Sequence, residues 1–358
     1  MLTTVTSNPN RLSRRAAIGV AATVGVSATI GVSAGTAAFA QTGRAPRMAS
    51  LAASSARATV AQDLTAVRVF PSYTSKVYGQ HAAVLGKLGE LGIKRMSHKL
   101  TPAIAGQASF IKFTQDAYRM FGIKSWLTIG EPRVPLSAAE WTKIVGVLSG
   151  PLAGMVERVY GWNEPNHGRG GAAFDESTWA PMTGAHQTEL WKRVSPLGIK
   201  VGTPQLWSGT FSKHDADLTK LAPLIRGKFD HIGWHLYPRS GGAENTRNVT
   251  RFAALYSRLL GTGFQVICTE AGYLDALNYT GGANNTTQAQ KAILVPLLVD
   301  EYVNRGWGLS YFELLDDPDP TEADREASLG MVECTSVSPA TWTNKPCFTA
   351  MKTRLARA

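Results

Sequence analysis

Val156-Glu157-Arg158-Val159-Tyr160-Gly161-Trp162-Asn163-Glu164-Pro165-Asn166 begins as a short β-branched and aromatic run and closes on a carboxylate followed at once by proline. Such a run reads as a strand, and the turn former behind it puts the Glu164 side chain at the strand's carboxyl end. The pattern returns 106 positions downstream in Val266-Ile267-Cys268-Thr269-Glu270-Ala271-Gly272, where Glu270 closes the run. In barrels of parallel strands, the carboxyl ends carry the chemistry.

Working outward from these two runs, six more appear, and all eight alternate with longer stretches of helical pattern. They are Ala66 to Phe70, Ile93 to His98, Ser125 to Ile129, Val156 to Trp162, Lys200 to Leu206, His231 to Leu236, Gln265 to Thr269 and Gly308 to Leu314. Near-continuous apolar strands are buried on both faces, and strict alternation with helices argues for a parallel sheet. Eight repeats predict a closed (β/α)8 barrel, the TIM-barrel fold of the α/β class, as a single catalytic domain over 64–358. An open doubly wound sheet is the alternative, but Val69-Phe70-Pro71-Ser72 after the first run lacks a phosphate-binding glycine fingerprint. Val84, Leu85, Leu88 and Leu91 in one helical stretch, and Ile293, Leu294, Leu297, Leu298 and Tyr302 in another, form stripes predicted to face the barrel.

Two carboxylates brought to one end of a barrel can cleave a glycosidic bond. On these motifs the chain resembles the clan A glycoside hydrolases, the superfamily of retaining barrel glycosidases, over all eight units. The resemblance implies that Glu164, in the Asn163-Glu164 pair ending the fourth strand, is the general acid/base. It implies equally that Glu270, ending the seventh strand, is the nucleophile. Asn163 resembles the residue that hydrogen-bonds the sugar 2-hydroxyl, and Tyr237, two residues after His235 in Trp234-His235-Leu236-Tyr237-Pro238, resembles a donor to the nucleophile. The eighth run departs from the clan pattern: Tyr311-Phe312-Glu313 stands where many members carry a tryptophan, leaving Phe312 as sugar platform or Glu313 as a hydroxyl partner.

The roles also follow from elementary chemistry. A nucleophile must be ionised while its partner holds a proton, so their surroundings must push the two apart. Arg95, in the second run, is expected to reach the barrel mouth and hold Glu270 as an anion; Trp162 is expected to desolvate Glu164. Trp126, Trp207 and Trp234 are candidate stacking surfaces, because a pyranose offers a C–H face to an aromatic ring. A carboxyl separation of about 5–5.5 Å would dictate a covalent intermediate and net retention.

Residues 1–40 carry Arg11, Arg14 and Arg15, then a weakly apolar stretch ending in Ala38-Phe39-Ala40. This reads as a cleaved signal peptide of twin-arginine type rather than a membrane anchor, and predicts a secreted protein. Its removal takes the formal charge from +11 to +8. The remaining cations are scattered without a run, so nucleic acid is excluded as a partner. Residues 41–63 show no apolar period and read as a flexible linker.

Of three cysteines, Cys334 and Cys347 share a polar, proline-containing stretch and are expected to form a disulfide, whereas Cys268 sits inside an apolar run. No cysteine or histidine set stands at zinc spacing, so no metal and no cofactor are expected. The acidic loop 316–324 reads as solvated, with calcium ligation as the alternative. The expected function is a secreted retaining glycoside hydrolase, acting as a monomer on a β-linked polysaccharide or oligosaccharide, internally cleaved, with no membrane association after signal removal. Its rivals are a carbohydrate-binding barrel without turnover and a barrel enzyme for a non-sugar substrate.

Overall fold

The computed structural model describes residues 60–168, 171–238, 243–275, 285–317 and 328–357. Residues 1–40, read above as a signal peptide, residues 41–59 of the expected linker and residues 318–324 of the acidic loop lie outside them. Eight parallel strands close on themselves in sequence order: β1 (Thr65–Arg68), β2 (Arg95–Leu100), β3 (Lys124–Ile129), β4 (Val156–Tyr160), β5 (Lys200–Gly202), β6 (His231–His235), β7 (Gln265–Ala271) and β8 (Gly308–Tyr311). The closing pair sets Val67 beside Tyr311. Each of the eight expected runs overlaps a strand, although the bounds differ by one to a few residues at most ends.

Seven helices follow strands β1 to β7: α1 (His81–Leu91), α2 (Ala108–Phe121), α3 (Ala138–Ser149), α4 (Trp179–Val194), α5 (Phe211–Ile225), α6 (Ala243–Leu260) and α7 (Gln288–Val303). After β8 the chain makes an antiparallel pair, β9 (Val332–Cys334) with β10 (Trp342–Asn344), and ends in α8 (Pro346–Ala356), packed against α7 and α1. Ser137 starts α3 and Thr287 starts α7 with reciprocal capping boxes, each satisfying two otherwise open backbone donors. Among the described residues, no helix is long and apolar enough to cross a membrane.

The barrel's lower interior is filled by Ala66, Trp126, Tyr160 and Ile267. Tyr160 needs glycine neighbours: a Cβ on Gly202 would stand 2.4 Å from its ring. The larger core lies between strands and helices, as a barrel buried on both faces requires.

Three expectations are corrected here. Residues 60–64 are helical, with Ala61 buried and Asp63 paired to Arg95, so 60–63 belong to the folded body and not to a flexible linker. On α7, Ile293 and Leu297 are 65% and 50% exposed, while Lys291, Val295, Leu298, Val299 and Tyr302 face inward. The stripe is rotated because Lys291 is drawn inside, its ammonium bonded to Asp275 and to the carbonyls of Ser328, Leu329 and Gly330. Finally, Cys334 and Cys347 are free thiols, not a bridge. Both are buried in the main apolar core, where a thiol packs as a small hydrophobe.

Four buried histidines make the fold acid-sensitive. Burial pushes His98 and His186 down to about 3, His214 to about 4, and His231 well below 6.5. Above pH 6.5 neither folded nor unfolded chain protonates them. As pH falls below that value the unfolded chain takes up protons that the folded one refuses, at about 1.4 kcal/mol per pH unit for each histidine. The melting temperature should therefore fall steeply below about pH 6; a flat profile down to pH 4 would show that these rings protonate in place.

Candidate active site

Glu164 lies four residues beyond β4, where the chain continues along β5 without regular strand geometry. Gln205 N–H donates to the Trp162 carbonyl (3.1 Å), the Glu164 N–H donates to the Gln205 carbonyl (2.7 Å), and Asn163 bridges to Gln205. Glu164 itself has φ 47, a left-handed conformation that a non-glycine residue adopts only when its surroundings impose it. Glu270 comes from inside β7. The β7–β8 register shifts between Cys268 and Ala271, and the β6–β7 register shifts between Trp234 and His235, which pairs His235 with Glu270. A bulge re-aims a side chain, and here both turn toward Glu164.

The three side chains meet. Nδ1 of His235 donates to Glu164 Oε1 at 2.9 Å and lies 3.5 Å from Glu270 Oε2, and one oxygen of each carboxylate lies within 4.8 Å of the other. All three are buried, with Glu164 and Glu270 at 7% and 8% exposure. Tyr237 Oη donates to Glu270 Oε2 at 3.2 Å. Burial alone would strip the His235 ring of its proton. The Glu270 charge, with the hydrogen bond and charge of Glu164, outweighs burial and raises its pKa above 6.5. The same three atoms are close enough to converge on a divalent cation, a grouping that spacing could not show because it draws on three strands.

Around this cluster the expected residues divide. Phe312 sits at the mouth, edge-on to Phe70 (5.8 Å) and to Tyr237 (6.4 Å), while Phe70 stacks on Tyr73. Asn163 keeps a buried side-chain oxygen that has no hydrogen-bond partner among the described residues. Trp207 is half-buried on the connection from β5 to α5, its ring 4.5 Å from that of His167.

Five others have their partners elsewhere. Arg95 begins β2 at the opposite end of the barrel, where it binds Glu157 (2.6 Å) and Asp63 (3.0 Å). Trp126 belongs to that same lower layer and donates to Glu157. Trp234 is fully buried on the outer face of β6, edge-on to Tyr256 and Trp307. Glu313 is wholly buried and accepts from Tyr78 Oη at 2.8 Å, so it offers no surface to a sugar. Trp162 stacks on His186 of α4 instead of walling Glu164. The described start of the acidic loop is not solvated either: Asp317 pairs with Lys76 and Asp316 with Lys345, and burial pushes Asp316 up to about 6.

A cation does stand at the carboxyl end of the barrel: Arg68, the last residue of β1. It is buried, lies 5.1 Å from the Phe70 ring centroid, and its charge acts on His235. The signal was available: Arg68 stands near the carboxyl end of its run, whereas Arg95 stands at the amino end of its own. Arg133, on the loop after β3, is a second residue missed. Its guanidinium donates to the carbonyls of Pro165, His167 and Ala172 and so holds the segment carrying Glu164.

No family model matches the sequence, and no curated protein matches it. Solved structures do resemble it in fold. The β-galacturonidase of Eisenbergiella tayi is 11% identical over 81% of this chain and 50% of its own, with a TM-score of 0.53. An active-site mutant of the Rhizomucor miehei β-1,3-glucanosyltransferase in complex with laminaritriose is 13% identical over 80% of this chain and 100% of its own, at 0.52. The Amycolatopsis mediterranei endo-β-1,3-glucanase, also in complex with laminaritriose, is 14% identical over 81% of this chain and 98% of its own, at 0.50. The chain thus spans about half the length of the galacturonidase. At such identities the likeness is one of fold, and the fold shared is the closed eight-stranded parallel barrel that the clan A resemblance implied.

Proposed function

We propose that this protein is a retaining glycoside hydrolase that cleaves a β-linked oligosaccharide or polysaccharide within the chain, with Glu270 as nucleophile and Glu164 as general acid/base. The observation that carries the reading is the meeting of two buried carboxylates at the barrel's carboxyl end, with an oxygen of each within 4.8 Å of the other. Inverting enzymes keep their carboxyl groups about 6.5–9.5 Å apart to admit a water, whereas double displacement uses the shorter span.

In the first step a Glu270 oxygen attacks the anomeric carbon and the bond to the leaving oxygen breaks as Glu164 protonates it. In the second, Glu164 takes a proton from water, whose oxygen displaces Glu270 and frees the sugar. Tyr237 orients Glu270 through the 3.2 Å bond, and His235 Nδ1 lies between Glu164 and Glu270, 2.9 and 3.5 Å from their oxygens, fixing both side chains. The open Asn163 acceptor suits the sugar 2-hydroxyl, a bond that strengthens as positive charge grows on the ring. Release of reducing ends from a polysaccharide panel, with proton NMR of the first anomer formed, tests the reading; an inverted first product would end it. Export through the twin-arginine-like segment 1–40, and a monomeric state, belong to the same proposal.

A second reading is favoured by one observation: Glu164, His235 and Glu270 could instead ligate a catalytic metal. The glycosidase should keep its full rate after exhaustive dialysis against EDTA. Loss of rate restored by zinc or manganese would transfer the chemistry to a metal-dependent hydrolase.

A further inference from the structure

Two residues after Glu164, Asn166 is fully buried and spends its whole amide on other elements. Its Nδ2 donates to Asp217 Oδ2 on α5 (2.8 Å) and to the Trp207 carbonyl (3.2 Å), and its Oδ1 accepts from the Trp207 N–H (2.8 Å). His214, also on α5, makes a second contact with the Trp207 carbonyl at 3.1 Å. Asp217 is a buried carboxylate that the two-step reaction does not use; Lys213 approaches it at 3.2 Å. The Trp207 ring is fixed on two sides. His167 lies 4.5 Å away at 53°, and Gly209, at φ 38, comes so close that a Cβ there would stand 2.5 Å from the ring. The segment carrying Glu164 and the segment carrying Trp207 are therefore bolted into one unit.

A general acid protonates the oxygen that joins the sugar to its leaving group, so the acid's own loop lies on the leaving-group side of the cleft. Trp207 is a half-buried aromatic ring tied to that loop through Asn166. We propose that Trp207, flanked by His167, is the stacking platform for a leaving sugar, that Asn166 and Asp217 are positioning residues tying it to Glu164, and that the substrate is accordingly one in which a further sugar departs. This rests on the glycosidase reading and deepens it, assigning the leaving-group side of that same site.

The test compares two substrates sharing one glycone: the linear oligosaccharide on which the wild type is most active, and the glycosyl fluoride of its non-reducing sugar. Fluoride departs without a ring to stack and with little need of an acid. Trp207→Ala should lower kcat/KM on the oligosaccharide about tenfold to a hundredfold, chiefly through KM, and leave the fluoride within about threefold of wild type. Trp207→Leu, which keeps apolar volume, should behave alike if the alanine variant folds poorly. Asn166→Ala and Asp217→Ala should show the same selective loss, and Asp217→Asn, which still offers Asn166 an acceptor, should recover most of it. Equal losses on both substrates, or no loss on the oligosaccharide, overturn the platform. Failure of the wild type on every oligosaccharide and fluoride instead sinks the glycosidase reading beneath it.

Discussion

Glu270→Gln should lower kcat by on the order of 10⁵–10⁶, the scale on which loss of a covalent nucleophile acts, while leaving substrate affinity within about tenfold. The amide matches the carboxylate in shape and can still accept from Tyr237, now 3.2 Å from Glu270 Oε2, so the site should stay assembled. It cannot attack an anomeric carbon. Glu164→Gln should behave differently, because a general acid contributes about 10²–10⁴ and only where the leaving oxygen needs a proton. Its loss should be large on an oligosaccharide and small on a glycosyl fluoride, and added azide should raise turnover by replacing the water that Glu164 would have activated. A fluorosugar inactivator followed by peptide mass analysis should place the label on Glu270. The histidine gives an independent readout: after burial, the Glu270 charge is the largest influence on His235, so Glu270→Gln should lower the His235 pKa in an NMR titration. A Glu270→Gln enzyme with ordinary turnover would refute the assignment outright.

Much of this arrangement is legible in the sequence, and the parts that are not fail for a common reason. Strands show themselves because apolar, β-branched runs between helices have few other uses, and Glu164 and Glu270 show themselves because each breaks such a run at its end. Which face and which end of a strand a side chain occupies is less visible. Trp126 and Trp234 both sit within strands, yet one fills the lower barrel and the other packs outward against Tyr256. Arg95 and Arg68 are told apart by their place along the strand, since only the carboxyl end opens on the site. Longer-range facts are harder still. Nothing local announces that Lys291 turns inward on Asp275, displacing Ile293 and Leu297 to the surface. Nor does a polar setting for Cys334 and Cys347 reveal that both thiols are buried in the apolar core. The convergence of His235 with both glutamates depends on a register shift between β6 and β7, which a pattern with period two cannot anticipate.

Arg133→Ala should cost about 10²-fold in kcat on an oligosaccharide although Arg133 need not touch the sugar. Among the described residues, Arg133 and Glu164 are the two non-glycine positions with left-handed backbone, φ 61 and φ 47. Each such residue costs on the order of 1–3 kcal/mol and persists only where the surroundings over-determine it. The guanidinium supplies that constraint: it donates to Pro165 and His167 (3.2 and 2.6 Å), one and three residues after Glu164, and to Ala172 (2.9 Å) farther along. The His167 N–H closes a turn onto the Glu164 carbonyl at 3.0 Å. Remove the fork and three carbonyls lose a charged donor, so the turn can relax and carry the acid off line. Arg133→Lys should recover only part of the rate, because an ammonium cannot span carbonyls on both sides of a planar fork. The decisive comparison is again a substrate that needs no acid. If the variant loses oligosaccharide turnover but keeps most of its glycosyl fluoride turnover, Arg133 acts by aiming Glu164. Parallel losses on both, matched by a lower melting temperature alone, would make it a fold residue and nothing more.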